Sequence, residues 1–260
     1  MELKPLGKTG INLSPLGLGT VKFGRNEGVK YPQGFNIPDE KTLSNLLSLA
    51  KDLGINTLDT APAYGTSEER LGRFLKGRRQ DWIIIGKAGE EFENGQSCYN
   101  FTPGHFEKSL ELSLKRLQTD YIDIFLIHSD GNDKENLSDD LLAKMQDFKT
   151  RGLVRAIGAS TKTVYGGIRT LEAMDTAMVT YNPDYLDEKP VLDFAAENQK
   201  GVLLKKALSS GHNTNIKDTF KFCFDHSAVT SAIVGTINPE HLRENANAIK
   251  ALQAEQRESA

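Results

Sequence analysis

Three apolar runs in the first half of the chain end in a side chain that can carry charge or a proton. INTLD (55–59) ends on Asp59, with Tyr64 in the segment that follows; WIIIGK (82–87) ends on Lys87; YIDIFLIH (121–128) ends on His128. An ionisable group at the end of a buried run makes an odd core position and a natural active-site position. On neighbouring parallel strands the four side chains would converge at one mouth. A phenol is a weak acid, with a reference pKa near ~10, and a lysine cation beside it favours the phenolate. Lys87 is therefore expected to lower the pKa of Tyr64, Asp59 to keep Lys87 charged and pointed, and His128 to share a proton or bond the substrate oxygen. Such a set suits proton donation to a carbonyl as charge develops on its oxygen. Each residue has a plainer reading too: Asp59 as a strand-end cap, Tyr64 as a loop aromatic, Lys87 as a surface cation, His128 as a hydrogen-bonded core imidazole. Consecutive strands of one barrel would favour the chemical reading.

The elements that must position them alternate along the chain. A hairpin is expected in the first fifteen residues, around Gly7-Lys8-Thr9-Gly10, and a first buried strand at LGLGT (16–20). Residues 21–38, 88–101 and 129–136 read as loops. Leu43, Leu46, Leu47, Ala50 and Leu53 fall at helical spacing, as do Phe106, Leu110, Leu114 and Leu117 behind an N-capping Thr102-Pro103. Later strand-like runs are LVRAIGAS (153–160), TAMVTYN (176–182), GVLLKKA (201–207) and SAIVGT (231–236), and Asn238-Pro239-Glu240 opens a last helix. Eight apolar runs separated by helices predict an α/β fold, a (β/α)8 TIM barrel in one domain spanning 1–260. An open doubly wound sheet would want G-x-G-x-x-G after its first strand, and GLGT lacks it. The tail, 251–260, is polar and expected to fray.

A chain of 260 residues suits that barrel, and a formal net charge of −3 with both signs interspersed gives no footprint for nucleic acid or a membrane surface. Two cysteines, Cys98 and Cys223, predict no disulfide framework, two small buried side chains and a cytoplasmic, reducing location. MELKPLGKTG lacks the apolar core of a signal peptide.

Taken together, DTAPAYGTSEERLG (59–72), IIIGKAG (83–89), RLQTDYIDIFLIHSD (116–130), VRAIGAS (154–160) and VGTINPEHLRENANAI (234–249) resemble the aldo-keto reductases, in the right order and over nearly the whole chain. The resemblance implies a barrel whose floor is closed by the N-terminal hairpin, NAD(P)H-dependent reduction of an aldehyde or ketone, and a catalytic tetrad at Asp59, Tyr64, Lys87 and His128. It implies NADP(H) rather than NAD(H), held by Gly19, Thr20 and Asp59 at the nicotinamide end, Ser160 at its carboxamide, Leu208 and Gly211 near the pyrophosphate, and Gly235, Thr236, His241, Glu244 and Asn245 around the adenosine; Thr161 and Lys205, at positions that differ from the family, are further candidates for cofactor contact. A helix start at Asn238-Pro239 would favour an anion. No metal is implied, and the partner is a small carbonyl substrate.

The chain departs from the family pattern at three places. Thr161 stands where Asn usually follows Ser, Met178 where a carboxamide-binding Gln is common, and Lys205-Lys206 where an aromatic often stacks on the nicotinamide. A lysine would repel an oxidised, cationic nicotinamide; it could instead reach a phosphate or stand solvated at the strand end. Gly235 and His241 also replace common phosphate-binding cations. These departures leave open a cofactor-binding protein of the same fold with little turnover, and a Schiff-base barrel using Lys87. Phe23, Tyr31, Phe92 and Tyr99 sit in mouth loops, which predicts either an apolar or aromatic aldehyde substrate or simple loop anchoring.

Overall fold

The computed structural model describes residues 1–29, 34–209 and 215–258. Two short strands, β1 (Lys4–Pro5) and β2 (Asn12–Leu13), form the antiparallel hairpin expected around Gly7 and Gly10. Eight parallel strands follow: β3 (Leu16–Gly19), β4 (Thr57–Asp59), β5 (Ile83–Ala88), β8 (Ile122–His128), β9 (Val154–Ser160), β10 (Thr176–Thr180), β11 (Val202–Lys205) and β12 (Val229–Val234). They pair in chain order, and β12 pairs with β3 to close the barrel. The helices between them include α1 (Glu40–Asp52), α2 (Ser67–Phe74), α3 (Pro103–Leu117), α4 (Asp133–Asn136), α5 (Asp139–Thr150), α6 (Val164–Ala173), α7 (Lys189–Glu197), α8 (Ile216–Phe224) and α9 (Pro239–Glu258). Thr102 caps α3 as its sequence predicts, accepting the His105 N–H, with Pro103 in the first turn.

The pleat of the strands decides what faces inward. Side chains two apart share a face, so Ile85 and Lys87, Leu126 and His128, Gly158 and Ser160, Met178 and Thr180, and Leu203 and Lys205 fall in pairs. The lower members build a dry interior in which Ile85, Ile124, Leu126, Met178, Leu203 and Ile233 pack against Leu6, Ile11 and Leu13 of the hairpin. The hairpin is thus a floor plug. A second, larger apolar cluster lies between strands and helices. The upper members of each pair are polar and form the layer at the mouth.

Four expectations change. The segment 88–101 is not a loop: β6 (Glu90–Glu93) and β7 (Gln96–Tyr99) form an antiparallel hairpin turning at Asn94-Gly95, both with positive φ. Residues 129–136 contain α4, and Pro62–Tyr64 forms a 3₁₀ turn. The tail does not fray at 251: Leu252 is buried, and Gln253 and Arg257 bond Glu2, so α9 continues to Glu258. Of the cysteines, Cys223 is buried and its thiol is pushed up to about 12 by desolvation, whereas Cys98 is exposed on β7; both are free.

Candidate active site

Asp59 ends β4 and Lys87 lies one residue before the end of β5, so their adjacent inward positions bring them together. Lys87 Nζ donates to Asp59 Oδ1 at 2.5 Å, to the Thr60 carbonyl at 3.2 Å and to the Tyr64 hydroxyl at 3.2 Å. Both members of the ion pair are nearly sealed from water, with side-chain exposures of 2 % and 6 %. Three acceptors match the three protons of a lysine ammonium, an arrangement that suits Lys87 as a hydrogen-bonding cation better than as a Schiff-base nucleophile.

Tyr64 reaches the pair because the chain turns sharply behind it. Gly65 has φ 61°, and a Cβ there would lie 2.1 Å from the Gly24 carbonyl oxygen. His128, at the end of β8, meets the Tyr64 ring edge to face with centroids 6.3 Å apart. The four residues of the sequence reading therefore come together on three neighbouring strands.

Their electrostatics differ from expectation in one respect. The Tyr64 hydroxyl is held well above its ordinary pKa, first by burial and then by the Asp59 and Glu90 carboxylates, which outweigh the nearby cations. The phenol is thus a firmly protonated group at neutral pH. Burial likewise raises the Asp59 carboxyl, against the pull of Lys87. His128 is pushed well below the usual imidazole value by burial and then by Lys87, Lys205, Lys162 and Arg25, so it is neutral.

The missed β6 carries a residue that sequence reasoning overlooked. Glu90 Oε2 lies 3.2 Å from His128 Nδ1, out of line for a good hydrogen bond, and Glu90 Oε1 lies 3.5 Å from Arg25 and accepts from Ser97 at 2.6 Å. Arg25 stacks on Phe92 with its guanidinium carbon 3.4 Å from the ring centroid and bonds the Ala63 carbonyl. The Asn-Gly dipeptide within EEFENGQSCY was the available signal for this hairpin. Of the expected mouth aromatics, Phe23 is fully buried in the outer core, Phe92 anchors Arg25, Tyr99 is exposed and Tyr31 lies outside the described residues.

On the opposite wall, Lys205 turns inward rather than standing solvated. Its Nζ donates to Ser160 Oγ at 3.0 Å and to the Thr161 carbonyl. Burial lowers its pKa to about 8. Met178 packs in the dry interior and offers no amide. A cavity of about 600 Å³ opens here, lined among others by Glu90, His128, Ser160, Lys162, Glu188 and Lys205.

Comparison with known proteins bears on the family and the fold. The family model described as Aldo/keto reductase family matches residues 15–219. A putative aldo-keto reductase of Pseudomonas aeruginosa superposes with a TM-score of 0.87 at 52 % identity, covering 95 % of this chain and 93 % of that one. The aldo-keto reductase YhdN of Bacillus subtilis (strain 168) is 32 % identical over 232 residues, 86 % of this chain and 67 % of its own. The chain belongs to the aldo-keto reductase family. It is an NAD(P)H-dependent oxidoreductase, and its general activity is carbonyl reduction.

The aldo-keto reductase sites assigned by resemblance to the nicotinamide cofactor fall into three groups. Gly19 faces β12, where a Cβ would lie 3.3 Å from Ile233 Cγ2, a tight contact that the Ile233 side chain would have to yield to by a few tenths of an ångström. Thr20 is committed elsewhere: its hydroxyl donates to the Asp59 carbonyl at 2.8 Å and bonds Ser67 Oγ, which makes it a prop for Asp59. Leu208 is buried in the outer core, and Gly211 lies outside the described residues. Beyond β12, Gly235 and Thr236 lead into Asn238, whose Oδ1 accepts the Glu240 N–H and caps α9. His241 and Glu244 are exposed on the first turns, and Asn245 is buried with its Oδ1 lacking a partner. An orphaned buried acceptor beside a capped helix start fits an amine-bearing nucleotide, and the unpartnered Thr161 Oγ1 offers a second polar contact at the other end. The residues present therefore fit the nicotinamide cofactor.

Proposed function

We propose that the chain, acting as one barrel domain, reduces a small polar aldehyde or ketone with Tyr64 as proton donor. The observation that carries this reading is the Lys87 ammonium bridging Asp59 at 2.5 Å and the Tyr64 hydroxyl at 3.2 Å. A bound reduced nicotinamide supplies the hydride that goes to the carbonyl carbon. Tyr64 gives its proton to the carbonyl oxygen as negative charge grows there, and Lys87 stabilises the phenolate left behind. Asp59 holds Lys87 in place. Neutral His128 bonds and orients the carbonyl oxygen without competing for the proton. The polar lining of the cavity favours a polar carbonyl compound over an apolar one.

In this reading Ser160, Thr161 and Lys205 meet the nicotinamide end, and Gly235, Thr236, His241, Glu244 and Asn245 the adenosine end. NADP(H) is the preferred cofactor in this reading, with His241 and Arg243 available to a phosphate on α9. Two curated relatives, each matched over about half of its own length, bear different names in this respect: an NADH-specific methylglyoxal reductase of Escherichia coli, and an aldo-keto reductase of Schizosaccharomyces pombe named with NADP(+). Exposed, unpaired Cys98 fits a reducing, cytoplasmic setting.

The test is Tyr64→Phe, assayed with NADPH and NADH against a mixed panel of aldehydes and ketones. Turnover should fall at least ~100-fold, the usual worth of a positioned acid, while cofactor affinity measured by calorimetry stays near that of the parent protein. Retained turnover would end the assignment of Tyr64.

A further inference from the structure

Lys205 is a residue the proton-donating tetrad does not use, and it stands in an unusual place. It is the last residue of β11, at an inward-facing position, paired in register with Thr180 of β10. Its ammonium reaches across β10 to bond Ser160 Oγ and the Thr161 carbonyl on the far side. Ser160 is the residue that the functional reading gives to the nicotinamide carboxamide, so a cation sits directly on that contact. The ring takes two charge states: neutral when reduced, positive when oxidised. A fixed positive charge at the contact treats them unequally.

We propose, resting on that reading, that Lys205 sets the redox preference of the cofactor site: it makes the site favour the reduced, neutral nicotinamide over the oxidised, cationic one, and the preference fades as Lys205 loses its proton.

The surroundings allow this. Glu188 is the acidic neighbour that acts most strongly on Lys205, but its Oε2 is committed to the Thr180 N–H at 2.9 Å and burial raises its own pKa. Asp133, the next carboxylate, is held by Ser129 and by the Lys162 and Thr163 backbone N–H groups. Lys162 and Lys206 add positive charge. From the catalytic wall, neutral His128 and Glu90, which is occupied by Arg25, face the same space, and Asp184 also lines it; the Asp59–Lys87 pair does not line it but lies within electrostatic reach of Lys205. Positive charge at Lys205 is therefore incompletely offset. Burial lowers its pKa to about 8, so the charge is present at neutral pH and lost in mild alkali.

The experiment measures dissociation constants of NADPH, NADP+, NADH and NAD+ by calorimetry on the purified full chain at about pH 7 and about pH 9.5, either side of the lysine transition. The readout is the oxidised-to-reduced ratio of constants, in which the ionisation of the shared phosphates cancels. For the parent protein the ratio should drop about tenfold or more between the two pH values, the scale of one like charge acting through partly wet protein. Lys205→Met should show the low ratio at both pH values. Lys205→Arg, which keeps its charge throughout, should show the high ratio at both and guards against a variant that merely misfolds. A parent ratio that is the same at both pH values, or a Lys205→Met ratio equal to the parent's at neutral pH, overturns the proposal while leaving the functional reading standing. Absence of binding by all four nucleotides overturns both.

Discussion

Replacing Lys87 by Met should destabilise the protein in a way whose size and pH dependence follow from burial. The substitution removes the partner of Asp59, whose side chain is only 6 % exposed. An unpaired carboxylate in that position is strongly unfavourable, so the native variant takes up a proton instead. Protonating a carboxyl of reference pKa near ~3.9 costs about 4 kcal/mol at pH 7, which caps the deficit. For a chain of this length that corresponds to a fall in Tm of about 8–16 °C. The native Asp59 then holds a proton that the unfolded chain releases, so stability falls as pH rises, and acidification restores it. Moving from about pH 7 to about pH 5 should recover about 2.7 kcal/mol, at about 1.36 kcal/mol per unit. Adding Asp59→Asn removes the need for that proton and should restore most of the stability at pH 7, although neither variant would turn over carbonyl substrate. Urea unfolding at the two pH values measures this directly. A deficit that is equal at both, or a double variant no more stable than Lys87→Met, would refute the reasoning.

Other expectations concern the neighbours of the tetrad. Glu90→Gln removes a carboxylate that raises the Tyr64 pKa, so the alkaline limb of the kcat profile should move down; a limb that stays or rises counts against Glu90 as an electrostatic partner. Gly65→Ala would place a Cβ 2.1 Å from the Gly24 carbonyl oxygen at positive φ, so thermal unfolding should show a loss of about 2 kcal/mol or more, with kcat falling more than KM rises as Tyr64 shifts. Arg25→Met should loosen the hairpin through loss of its stacking on Phe92, measured as faster amide exchange in 90–99 and unchanged exchange in the barrel strands.

Much of this was legible because a barrel strand writes its two faces into alternating residues. The runs ending at Asp59, Lys87 and His128 are long, apolar and separated by helical spacing, so both the strands and the convergence of their ends could be read. The hairpin of β6 and β7 was harder. EEFENGQSCY is polar enough to pass for a loop, and only the Asn94-Gly95 turn announces it. Glu90 was invisible for the same reason, since its approach to His128 depends on how that hairpin stands over the mouth. Lys205 shows another limit. Its spacing from Leu203 puts it on the inner face, but its reach to Ser160 and Thr161 requires the curvature of the closed sheet. The sign of the Tyr64 shift was misjudged because a sequence shows which charges are near and not how completely water is excluded.

The hairpin also bears on how this protein could diversify. Its contacts toward the site run through Glu90 and through Phe92 to Arg25, while its turn at Asn94-Gly95 is exposed. The groups proposed to transfer the proton belong to the β4 and β5 ends, the turn after β4 and the end of β8, where a change disturbs the barrel itself. The β6–β7 hairpin shares no ladder with the barrel sheet, and segments of that kind vary more in length and sequence than the strands they connect. Acid strength at Tyr64 and the shape of the entrance are thus exposed to selection on a segment that stands outside the barrel sheet.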